Sequence, residues 1–146
     1  MEIKLNRLKD NELNQIITMI NSDDGLKATF SGGANTYQRV AYSIYAALIK
    51  KGKTDVGFIM ITENPKNGKY EIDMGVLEKY RGMGYATQAM DLLKNIILDN
   101  ELRVEAQIKK VNKPAIKSVM SNGFKLYRQD KLCNYYVLEG DSKNIR

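Results

Sequence analysis

The stretch Asp73–Leu98, DMGVLEKYRGMGYATQAMDLLKNIIL, decides how the rest of the chain is read. It runs from an apolar segment through a cluster of Arg81, Gly82 and Gly84 into a pattern with helical spacing. Ala86, Ala89, Met90, Leu93, Ile96 and Ile97 fall on one face of that helix. The start of a helix leaves backbone N–H groups unpaired and carries partial positive charge, so an anion can settle there. Glycines let a phosphate approach the backbone closely, and an arginine can add a charge-assisted fork. A pyrophosphate cradle is one reading; a tight turn is the other, because glycine marks turns routinely.

Two other nucleotide motifs fail here. The Walker pattern needs a closing Gly-Lys-Ser/Thr, which RGMGYATQ lacks. The dinucleotide fingerprint needs a third glycine or alanine where Thr87 stands.

Upstream, YEIDMGVL reads as a strand, preceded by NPKNGK as a turn and VGFIMITE as another strand. AYSIYAALIKK fits helix or strand; the turn GKTD and the strand after it favour strand. Residues 42–77 are thus expected to form an antiparallel meander. MEIKLNRL alternates as a first strand, and DNELNQIITMIN follows as a helix capped by Asp10 or Asn11. SDDGLKATFSGGANT reads as loop, with a short helix expected from about Asn35 to Val40. Downstream come the strand LRVEAQIKK, a short helix in NKPAIKSVMSNGF with Pro114 in its first turn and Gly123 as its stop, and the closing strands FKLYRQDKL and NYYVLE. The order β-α-α-β-β-β-α-β-α-β-β is that of an α/β or α+β fold with helices on a mixed sheet.

Composition bounds the function. The 146 residues suit a single domain spanning 1–146, with about 140–146 as a loose tail. No apolar run approaches the roughly 18 residues of a membrane span, and the charged N-terminus does not resemble a signal peptide, so a cytoplasmic protein with no membrane partner is expected. The absence of histidine excludes histidine triads and His-ligated metals, and no metal site is expected. The single cysteine, Cys133, reads as a buried structural residue. The net charge of +6 fits scattered surface lysine or a polyanionic ligand. With no basic helix and no aromatic-basic interleave, a nucleic-acid reader ranks last.

VLEKYRGMGYATQAM resembles the acyl-CoA loop of the GNAT superfamily of N-acyltransferases. That signature is Arg or Gln, two residues, Gly, one residue, then Gly or Ala, met by Arg81, Gly84 and Ala86. The family's second landmark, an Asn opening a short helix that ends in Gly-Phe, is matched by Asn112, Gly123 and Phe124, with Ala115 and Ile116 at the small and apolar places. The resemblance covers nearly the whole chain and is strongest from about Tyr70 to Phe124.

The resemblance implies a mixed, mostly antiparallel central sheet flanked by helices. It implies an N-acetyltransferase that moves the acetyl group of acetyl-CoA to a primary amine by direct attack in a ternary complex. Met74, Gly75 and Val76 would pair with the pantetheine arm like an added strand, and the Val76 N–H would serve as oxyanion donor. Arg81, Gly82, Met83, Gly84, Tyr85, Ala86 and Thr87 would hold the pyrophosphate, and Asn112 would touch the cofactor beyond the next strand. The strands YEIDMGV and LRVEAQI would lie side by side and splay apart to make the thioester slot.

Some family members keep a base on the strand before the loop; Glu71 lies near that place and Asp73 shares its face. Others use a Glu and a Tyr at positions that hold Gln107 and Val119 here, neither an acid nor a base. Ser118, Ser121, Tyr127 or water remain as proton donors to the thiolate, whose ordinary pKa of ~8.5 makes such help optional. The acceptor is expected to be a small-molecule or peptide amine, and the sequence leaves a homodimer open. A CoA-binding module without catalysis is the alternative.

Overall fold

One seven-stranded sheet, ordered β1-β2-β3-β4-β5-β7-β6, organises the chain. The computed structural model describes residues 2–30 and 39–140. The strands are β1 (Ile3–Arg7), β2 (Ser43–Lys51), β3 (Thr54–Glu63), β4 (Tyr70–Val76), β5 (Arg103–Lys109), β6 (Lys125–Gln129) and β7 (Cys133–Glu139). The helices are α1 (Asn14–Asn21), α2 (Asp24–Thr29), α3 (Tyr85–Asp99) and α4 (Lys113–Ser121). All strand pairs are antiparallel except β4 with β5. The expected meander over 42–77 and the mixed, mostly antiparallel sheet are both present.

The sheet is covered on both faces. Tyr45, Ala47 and Ile49 of β2 and Ile59 and Ile61 of β3 point into a core shared with Ala89, Met90, Leu93 and Ile97 of α3 and Val119 of α4. Their neighbours Ala46, Leu48, Phe58 and Met60 point the other way, into a second core with Ile16, Met19 and Ile20 of α1 and Leu26 of α2. Burial on both faces explains why AALI and VGFIMI are continuous apolar runs, which made AYSIYAALIKK ambiguous by period alone. Each fully buried aliphatic side chain contributes about 1.5–3 kcal/mol.

The front of the chain differs from the sequence reading in two places. Neither Asp10 nor Asn11 caps α1; residues Asp10–Glu12 form a 3-10 turn, and Glu12 Oε1 accepts from the Lys9 N–H at 2.8 Å. The stretch read as loop contains α2, which Asp23 caps by accepting from the Leu26 N–H at 3.0 Å. Gly25 hid this helix, since glycine costs about 1 kcal/mol in a helix interior. A Cβ there would lie 2.9 Å from Nη2 at the tip of the Arg81 side chain. The short helix expected from about Asn35 to Val40 falls largely outside the described residues; residues 39–41 are helical.

Candidate active site

β4 and β5 are paired only at Tyr70 with Val104 and Glu71 with Glu105; beyond that register they separate. The splay that the resemblance implied is therefore present, and it begins at Ile72. A cavity of about 630 Å³ fills the gap. Its walls come from both faces of the sheet: Ala28, Thr29 and Phe30 beside α2, and Met90, Ala115 and Val119 from α3 and α4. The gap is thus a passage through the sheet.

Side-chain charges close its narrow end. Lys69, just before β4, reaches Glu105 Oε2 on β5 at 3.6 Å. Glu105 also pairs with Arg103 and accepts from the Tyr127 hydroxyl at 2.6 Å. Burial pushes the Glu105 carboxyl up, but the bonds from Tyr127 and Arg103 outweigh it, and the net shift is downward. Burial and the neighbouring Glu105 push Tyr127 up to about 12, so this tyrosine is a poor proton donor. Ser118 is buried and its hydroxyl meets Thr87 Oγ1 at 2.8 Å. Ser121 donates to the Ser118 carbonyl at 3.2 Å. None of these three lines the gap.

On the α1–α2 face, Glu71 and Asp73 both line the gap. Asp73 is buried at 7% exposure. Its Oδ1 accepts from Arg39 Nη1 at 2.7 Å and its Oδ2 from Thr62 Oγ1 at 3.0 Å. Burial pushes its carboxyl up despite both bonds. Glu71 is held more loosely, by Arg39 Nη2 at 3.4 Å. No motif marked Arg39 or Thr62. The alternation of β3 and β4 is the only sequence signal for Thr62, which stands opposite Glu71.

The open edge of β4 presents backbone. The Leu77 N–H donates to Val56 on β3, so alternate residues from Leu77 face β3, while Ile72, Met74 and Val76 direct N–H and C=O toward the gap. Gly75 lies between them with its missing side chain against the second core, where a Cβ would come within 2.5 Å of Leu26 and 2.8 Å of Phe58.

On the α3–α4 face the loop after β4 leads into α3. Gly82 and Gly84 have φ of +79° and +82°, which explains both glycines before any ligand is considered. A Cβ at Gly82 would meet nothing within 4 Å. Gly84 is the N-cap and offers no side-chain cap. The first helical bond runs from Gln88 N–H to the Gly84 carbonyl at 3.1 Å, leaving the N–H groups of Tyr85, Ala86 and Thr87 without helical partners. Met83 is exposed between the glycines. This uncapped start of a 15-residue helix suits a phosphate.

Arg81 is turned elsewhere. Its Nε donates to the Val76 carbonyl at 3.0 Å, and its Nη2 lies 3.9 Å from Asp23 Oδ1. Asp23 Oδ2 also accepts from the Glu78 N–H at 2.9 Å, and this bond is the main cause of its lowered pKa. The residues that cap α2 therefore also brace the loop.

Asn112 lines the gap and caps α4, accepting from the Ala115 N–H at 3.3 Å. Gln107 is exposed on the gap wall, and its Nε2 meets Cys133 Sγ at 3.5 Å. Val119 is buried in the core. Cys133 is free and buried, as expected, and it too borders the gap.

The model of the acetyltransferase (GNAT) family matches residues 18–124. No curated protein matches by sequence. Among solved structures, a putative phosphinothricin N-acetyltransferase shares 13% identity at a TM-score of 0.73, over 97% of this chain and 100% of that one. The alpha-N-protein acetyltransferase RimL, in complex with coenzyme A, shares 14% at 0.68, over 97% and 96%. The Campylobacter jejuni N-acetyltransferase PseH, in complex with acetyl coenzyme A, shares 18% at 0.59, over 94% and 98%. These likenesses concern the fold. With the family match extending over most of its length, the chain belongs to the GNAT family of acetyltransferases, enzymes whose acyl donor is acetyl-CoA.

Proposed function

We propose that this acetyltransferase carries the acetyl group of acetyl-CoA to a primary amine by direct attack within a ternary complex. The observation that carries the reading is the passage between β4 and β5, with two carboxylates on one side and an uncapped helix start on the other. The donor enters from the α3 face and the amine from the α1–α2 face.

The bound thioester supplies an electrophilic carbonyl and a thiol leaving group. The N–H groups of residues 82–87 hold the pyrophosphate, and the gap-facing backbone of Met74 and Val76 aligns the pantetheine arm. The Val76 N–H is the oxyanion donor. Asn112 borders the cofactor from the far wall. Glu71 takes the proton of the incoming ammonium, directly or through one water. Tyr127 keeps its proton, held by Glu105, so water is left to meet the departing thiolate. Holding the two reactants together in the gap supplies much of the rate.

The acceptor is a small-molecule or peptide amine. Incubation with acetyl-CoA and a panel of primary amines, read by release of free thiol, tests the reading. Turnover with at least one amine is expected.

A second reading is a CoA-binding module without catalysis. It is favoured by Gln107 and Val119, which replace an acid and a tyrosine used elsewhere in the family. It is distinguished by CoA protecting the protein against heat while no amine releases thiol.

A further inference from the structure

Arg39 belongs to no motif, yet its guanidinium crosses to β4 and meets both gap carboxylates. Its backbone is pinned. Val40 is buried in the second core, Ser43 Oγ donates to the Val40 carbonyl at 2.8 Å, and Tyr42 N–H donates to the Arg39 carbonyl at 3.2 Å. The side chain therefore extends from a fixed point to the site.

The two carboxylates are not held alike. Both oxygens of Asp73 are engaged, one by Arg39 and one by Thr62, and the side chain is 7% exposed. Among the described residues only Arg39 reaches the Glu71 carboxylate, at 3.4 Å, and Glu71 is 29% exposed. A base needs a lone pair free to face the proton it takes. Among the described residues Glu71 keeps one oxygen, Oε2, unengaged and partly exposed, whereas each Asp73 oxygen already accepts a bond and is out of water.

Resting on the acyl-transfer reading, we propose that Arg39 is a positioning residue: it clamps Asp73 against Thr62 as a fixed counter-charge and leaves Glu71, held by one arm only, as the carboxylate that reaches the amine. Two acids on one strand face, one of them out of water, would otherwise compete for a single proton. Arginine keeps its charge at every working pH, so the clamp is released only where Asp73 itself takes a proton. Among the described residues, the other charged groups facing the pair lie on β5 and just before β4. Glu105 stands beside Glu71 on β5 and is itself held by Arg103, Lys69 and Tyr127. Lys109 lines the β5 wall, and the α2 wall contributes Ala28, Thr29 and Phe30, none charged.

The test is a side-chain carboxyl NMR titration of the full ligand-free chain, run on wild type, Arg39→Met, Arg39→Lys and Thr62→Val, with thiol-release kinetics on the same proteins. In Arg39→Met the Asp73 midpoint is expected to rise by about one unit or more, and Arg39→Lys to restore part of the shift. Thr62→Val is expected to raise Asp73 and leave Glu71 in place, which covers the case of an Arg39→Met protein that fails to fold. In the kinetics, Arg39→Met is expected to lower kcat about tenfold at neutral pH and move the acid limb of kcat upward, with KM for acetyl-CoA unchanged. Unmoved Asp73 midpoints in folded Arg39→Met and Thr62→Val would overturn the clamp, whatever the turnover. Moved midpoints support it even if wild type releases no thiol with any amine, a result that would overturn only the acyl-transfer reading.

Discussion

The two sides of the β4–β5 gap are made of different material. The α3 side is backbone: positive-φ glycines, an uncapped helix start and the open edge of β4. The α1–α2 side is side chain: Glu71, Asp73, Thr62 and Arg39 joined through their polar groups. A backbone site does not titrate and is sensitive to any residue that cannot adopt its φ. A side-chain site responds to pH and to single-atom changes. Two of the similar solved structures hold coenzyme A or acetyl coenzyme A, a ligand whose phosphates suit the first kind of site.

The largest effect is expected on the donor side. Gly84→Val places a β-branched residue at φ +82°, where left-handed backbone costs an ordinary residue about 1–2 kcal/mol. Affinity for CoA should fall at least about a hundredfold in calorimetry, since a displaced loop loses several phosphate hydrogen bonds of about 1.5–3 kcal/mol each. Far-UV circular dichroism should be preserved, because nothing packs closely against this glycine. Unchanged CoA affinity would remove the phosphate cradle.

Comparable in size, on the other side of the gap, is Glu71→Gln. It should lower kcat for amine acetylation by about 10²–10⁴-fold while CoA affinity holds, which separates the two sides in one protein. Equal loss of CoA binding would join them.

Asp73→Asn sharpens the contrast through stability. Burial raises the folded pKa of Asp73 above the ordinary aspartate value, so folding strengthens its hold on a proton. That contribution to stability is present at low pH and lost as pH rises through the folded pKa, and the ionised group opposes folding at neutral pH. Asp73→Asn should therefore match or exceed wild type in Tm at pH 7 and lose that margin at acid pH. A clear drop in Tm at pH 7 would mean that the bonds to Arg39 and Thr62 stabilise the fold more than burial of the charge costs.

The smallest effect concerns the closed end of the gap. Glu105 has a lowered pKa, so its stabilisation is present above its unfolded pKa and lost as pH falls through the folded one. Glu105→Gln should cost about 1–3 kcal/mol by urea unfolding at pH 7, with the difference shrinking below pH 4. An undiminished difference in acid would mean that packing rather than charge holds β4 to β5.

How much of this was legible follows the same division. The glycine turn before α3, and α4 with Asn112 and Gly123, are local patterns of glycine and capping that the sequence carries on its face, whereas the splay of β4 from β5 was implied only by the resemblance to the GNAT family. Glu71 and Asp73 were visible as two acids on one face of a strand. Arg39 was not, because it lies 34 residues from Asp73 and only the folded sheet brings them together. Helix α2 was missed because Gly25 lowers local helix propensity, while its cap, Asp23, is fixed in place by the distant Glu78 N–H and Arg81. Arg81 itself was expected to turn toward phosphate and instead lies against Val76 and Asp23.

The most direct test of the passage is a crystal structure of the chain with CoA bound. Phosphate oxygens should meet the N–H groups of residues 82–87, and the thiol should lie in the gap between Met74 and β5, within reach of Glu71. CoA bound elsewhere, or with its sulfur outside the gap, would contradict the assignment of donor and acceptor to opposite faces of the sheet.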